Sequence, residues 1–82
     1  MERKTGWQRQ YIRHLTDQQL FAMLHRLPVQ LAGCESRSDK LSCIRYLYRG
    51  APNPGPDISP SEWLIDIITA YNHNPHIDEK NI

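Results

Sequence analysis

The side chains able to hold a soft metal are Cys34, Cys43, His73 and His76, two thiols and two imidazoles. Structural zinc knuckles place paired cysteines roughly two to four residues apart. Here eight residues separate them, and Cys43 falls inside an apolar helical pattern, where the expected role is that of a small buried hydrophobe. Acid–base chemistry is no better provided. His14, His25, Asp17 and Glu35 stand at no spacing that pairs them. Adjacent carboxylates occur at Asp78-Glu79, in a polar terminal stretch. Four glycines leave no phosphate-cradling loop, and no G-x-S-x-G turn presents a serine. The chain is therefore expected to be no enzyme and to hold neither metal nor cofactor.

Arginine and tyrosine carry the stronger signal. Seven of the ten basic residues are arginine, the side chain suited to bidentate and stacked contacts. In the pattern around residues 39–49, Arg45 and Arg49 fall one helical turn apart, and Tyr46 points away from the apolar Ile44 and Leu47. An exposed Tyr beside Arg is the composition of a protein-binding hot spot. It also suits a phosphate-contacting surface. Arg9 and Arg13, again one turn apart, and Arg26 extend the patch, with Arg37 and Lys40 near its start. The candidate partner-binding set is thus Arg9, Arg13, Arg26, Arg45, Tyr46 and Arg49. Against it stands the ordinary use of arginine to solvate the outer faces of amphipathic helices.

Four helices must position these groups. Trp7, Tyr11 and Leu15 recur at one-turn spacing with Ile12 beside them, predicting a helix over 7–15 with Arg9 and Arg13 on its far side. Thr16-Asp17-Gln18-Gln19 is a capping box stapled by Leu15 and Leu20, and Asp17 suits the positive end of the helix dipole. Leu20, Met23, Leu24 and Leu27 continue that helix over 17–27, until Pro28 ends it. Ser38, with Asp39 in the first turn, opens a helix over 39–49 that buries Leu41, Ile44, Leu47 and Tyr48 and stops at Gly50. Ser59-Pro60-Ser61-Glu62 combines a second capping box with proline at the first helical position. Trp63, Leu64, Ile67, Ile68 and Tyr71 fill the helix over 60–71, which Asn72 to Pro75 should end. Three prolines make 51–58 a semi-rigid connector. Residues 28–38 read either as a short turn from Pro28 to Gly33 or as an irregular connector with apolar anchors.

These elements predict an all-α, single-domain bundle over residues 7–72, with a loose basic arm at 1–6 and a polar tail at 73–82. Its 82 residues are the size of one domain, burying only ~60–65% of the surface of the unfolded chain. Met1 to Trp7 lacks the apolar stretch of a secretory leader and no run is long enough for a bilayer, so cytoplasmic residence, reduced cysteines and no membrane contact are expected. The formal net charge of +1 conceals a division: nine basic and four acidic residues in 1–50, one and five in 51–82. The leading expectation is a non-enzymatic regulator, of inhibitor or adaptor type, docking on a larger protein partner. Phages and mobile elements make many proteins of this build, which is analogy alone. The alternative is a nucleic-acid-binding module, of the DNA-binding transcription-regulator kind, using residues 1–50. As a third reading, the acidic half packs on the basic half, within one chain or between two copies.

Overall fold

Thr16 and Ser59 each open a helix by the same exchange of hydrogen bonds. The Thr16 hydroxyl accepts from the Gln19 amide at 3.1 Å, and the Gln19 side chain accepts from the Thr16 amide at 2.9 Å. The Ser59 hydroxyl accepts from the Glu62 amide at 3.2 Å, and the Glu62 carboxylate accepts in return at 3.4 Å. Each exchange satisfies donors that a helix N-terminus leaves without partners. In the computed structural model, which describes residues 6–73, the chain forms α1 (Trp7–Arg13), α2 (Asp17–Arg26), α3 (Arg37–Gly50) and α4 (Pro60–His73). No strand occurs among the described residues. The fold is the expected all-α bundle.

Helix ends differ from expectation where two caps compete. Ser36, not Ser38, opens α3: its hydroxyl accepts from the Asp39 amide at 3.0 Å. Ser36 adopts the extended backbone that a cap requires (φ −81°, ψ 156°), which moves Arg37 into the first turn. Gly50 is the last helical residue and supplies no left-handed stop. Ala51, extended at φ −82° and ψ 148° ahead of Pro52, ends the helix instead. Positive φ occurs at Gly6 (80°), where α1 begins, and at Gly33 (78°). Gly6 therefore belongs to the start of α1 rather than to an arm, and His73 closes α4 rather than opening a tail. The rest of the expected arm and tail, with Asp78 and Glu79, lies outside the described residues.

Helix α4 packs against both α1 and α3, and α2 packs against α3. Ile12, Leu20, Ile44, Tyr48, Trp63, Leu64 and Ile68 form the buried core. Within it Tyr48 and Trp63 meet edge to face, 6.3 Å between centroids at 80°, a favoured aromatic geometry. Helix α1 turns a different face inward from the one its aromatics suggest. Gln8 and Ile12 are fully buried, while Tyr11 stays 46% exposed. Trp7 is half-buried at the rim, where its indole N–H donates to the Pro56 carbonyl at 3.1 Å.

Residues 28–36 are irregular, with a turn at Ala32-Gly33, and Val29 and Leu31 pack on the core. Asn72 clips this segment down. Its amide donates to the Gln30 carbonyl at 2.7 Å, and its oxygen accepts from the Ala32 amide at 3.1 Å. A residue expected to end α4 lies inside it and holds the neighbouring connector.

Candidate interaction surface

The six candidate residues do not form one patch. Arg9 departs furthest from expectation, because it turns inward. One guanidinium nitrogen donates to the Tyr48 carbonyl at 2.6 Å and to Arg49 at 3.3 Å, and the other donates to Ala51 at 2.6 Å. The Asn53 side chain accepts from that second nitrogen at 3.1 Å and from Nε at 3.2 Å. The guanidinium carbon lies 5.2 Å from the centroid of the Trp63 ring. The last carbonyls of any helix lack amide partners and carry the negative end of its dipole. Arg9 caps those of α3 from another helix.

Its neighbours hold the adjoining connector. The Gln8 amide donates to the Gly55 and Ile58 carbonyls, both at 2.6 Å, while its oxygen is buried without a hydrogen-bond partner among the described residues. With Trp7 on Pro56, three successive residues of α1 fasten the chain from Tyr48 to Ile58. Proline stiffens this connector; α1 determines where it lies.

Arg45 is also engaged, though less deeply. Its Nη2 donates to Asp17 Oδ1 at 2.8 Å and to the Leu15 carbonyl at 3.3 Å, fixing α3 to the corner between α1 and α2. The side chain retains 25% of its exposure and Asp17 retains 71%. A pair this open contributes about 0–1 kcal/mol. Its consequence is geometric: it fixes the flank of Tyr46.

Tyr46 is 68% exposed. Ser42, Tyr46 and Arg49 follow at i, i+4 and i+7, and all three are exposed along the outer side of α3. Arg13 is exposed one turn after Arg9, on the side of α1 from which Arg9 reaches α3. Arg26 belongs elsewhere. It lines a groove of about 580 Å³ with Tyr11, Met23 and Ser61, between α1, α2 and the start of α4. The surface brought together on α3 therefore comprises Tyr46 and Arg49, flanked by the fixed Arg45, while Arg13 is exposed separately on α1.

Arg37 makes a contact that its neighbours in sequence did not announce. Its guanidinium carbon stands 4.0 Å from the Phe21 ring centroid, and His25 stacks with the same ring at 6.4 Å. A second groove, of about 570 Å³, lies beside them between α2 and residues 27–35, with Cys34 and Lys40 in its lining. Cys34 and Cys43 are half-buried and not joined in a disulfide. No group of three or more His, Cys, Asp or Glu able to hold a metal occurs among the described residues, and His76 lies outside them. Among those residues, too, no helix is long and apolar enough to cross a membrane. Neither a family model, nor a curated protein, nor a solved structure matches the chain.

Proposed function

We propose that the chain is a small non-enzymatic regulatory protein, of inhibitor or adaptor type, which docks on a larger protein through the outer side of α3. One observation carries this reading: Tyr46 stands 68% exposed on a capped helix, between an arginine already fixed and one whose guanidinium has no partner among the described residues. Aromatic anchors of this kind contribute large contact area at low entropic cost, because a folded helix has already ordered the backbone. Arg49 adds a charge-assisted donor whose strongest acceptors are carboxylates.

The test is capture by the immobilised protein from an extract of its own cells, with and without nuclease. A partner should survive nuclease and be lost with the Tyr46→Ala/Arg49→Ala variant, whose circular dichroism stays that of the parent. Equal capture by parent and variant would remove α3 from the reading. Loss of all capture on nuclease digestion would favour the second reading, nucleic-acid binding through Arg13, Arg26 and Arg49, whose guanidinium groups have no partner among the described residues. Three phosphate contacts would give a log–log salt slope of only about −2.7, and Arg26 lies on a different groove, so the protein-binding reading is favoured.

A further inference from the structure

Part of the charge division between the two halves is left on the surface of the described fold. One ion pair, Arg45 with Asp17, joins two residues of the basic half. Arg9 spends its donors on carbonyls and an amide rather than on carboxylates. Glu62 and Asp66 on α4 pair with no cation among the described residues.

These two carboxylates share one side of α4 with Ile65 and Thr69, at i, i+3, i+4 and i+7. That side faces outward, because Trp63, Leu64 and Ile68 take the inner one at 4% exposure or less. Ile65 is half-buried, yet stands outside both the core cluster and the hydrophobic residues packed on it. An aliphatic side chain between two carboxylates is the complement of an aromatic one beside arginines.

We propose that copies of the chain associate through these unlike faces, Tyr46 and Arg49 of α3 in one copy packing onto Ile65, Glu62 and Asp66 of α4 in the next. Helices α3 and α4 pack against each other, so each outer side points away from the other and one copy cannot satisfy itself. Among the described residues no carboxylate of the same copy answers Arg49, and in the proposed contact a second molecule supplies the carboxylates. Arg49 has the fork geometry for a carboxylate, and Tyr46 over Ile65 removes from water the most exposed tyrosine among the described residues. Exposed ion pairs are individually weak and readily screened, so the association is concentration-dependent and salt-sensitive. A contact between unlike faces leaves one of each free at the ends of an assembly unless the arrangement closes. The inference rests on the same α3 face as the proposed function, so self-association and partner docking exclude one another.

Sedimentation of the full chain over a range of concentrations tests it. At about 0.01 M salt, where the screening length is ~30 Å, mass should rise with concentration; at about 1 M, where it is ~3 Å, the chain should be monomeric. Arg49→Glu and Asp66→Lys should each abolish association, and an equimolar mixture of the two should restore it, since each variant keeps the face that the other lacks. Circular dichroism checks that both remain folded, as their exposed positions lead one to expect. A monomer at every concentration in low salt overturns the proposal. So does association that persists at high salt, ignores both reversals, or fails to return on mixing. The Asp66→Lys variant separates this inference from the functional reading, because it should lose self-association while still capturing the partner.

Discussion

Arg9 and Arg49 are chemically the same side chain put to opposite uses. Arg9 stands where three backbone carbonyls, a side-chain amide and the Trp63 ring converge, and its charge is absorbed there. Arg49 lends its own carbonyl to that cluster, while its guanidinium stays in solvent. The contrast shows that an arginine becomes structural when it meets orphaned acceptors, such as those at the end of a helix. It remains available for recognition when the acceptors near it already have partners. Counting arginines on helix faces does not separate the two cases.

The comparison can be broken by substitution, and urea unfolding midpoints read the outcomes. Trp63→Ala should have the largest effect, about 3–5 kcal/mol, because it opens the core and removes the ring beneath Arg9. Arg9→Ala should cost about 2 kcal/mol, since the carbonyls of Tyr48 and Ala51 lose a charged donor. Arg9→Lys should recover little of it, because an ammonium cannot reproduce the planar fork. Gln8→Leu should cost about 1–2 kcal/mol through the unpaired carbonyls of Gly55 and Ile58. Arg45→Ala should cost no more than about 1 kcal/mol, as an open ion pair does. Arg49→Ala should stay within about 0.5 kcal/mol of the parent. A midpoint for Arg49→Ala as low as that for Arg9→Ala would erase the distinction between the two regions.

What the sequence made legible was local. Both capping boxes are read from residues three apart, and both form with the expected bonds. The apolar stripes of α2, α3 and α4 supply six of the seven core residues. The start of α3 was also within reach, because Ser36 stands three residues before Asp39, the same signature that marks the other caps. Helix α1 resisted this reading for a physical reason. Its inward face carries Gln8, a polar residue accommodated by two carbonyls some fifty positions away, so hydrophobic periodicity placed Ile12 and Leu15 correctly but passed over Gln8 and set Tyr11 too deep. Separation along the chain also hides the clip made by Asn72, 42 positions from Gln30, and the contact of Arg37 with Phe21 across two elements. On the candidate surface, the exposure of Tyr46 and Arg49 followed from helical spacing alone. The inward turn of Arg9 depended on where α3 ends in space, for which no neighbouring residue gives a signal.

The separation of the two regions is tested most directly by the exchange of arginine Nε protons with water, followed by NMR on the arginine-labelled protein. The Nε proton of Arg9, donated to the Asn53 side chain at 3.2 Å, should exchange more slowly than that of a free arginine, with a resonance displaced by the Trp63 ring. The Nε proton of Arg49 should exchange at the rate of a free side chain. Equal and rapid exchange at both would mean that Arg9 is as free as Arg49, and that the structure assigns the two arginines wrongly.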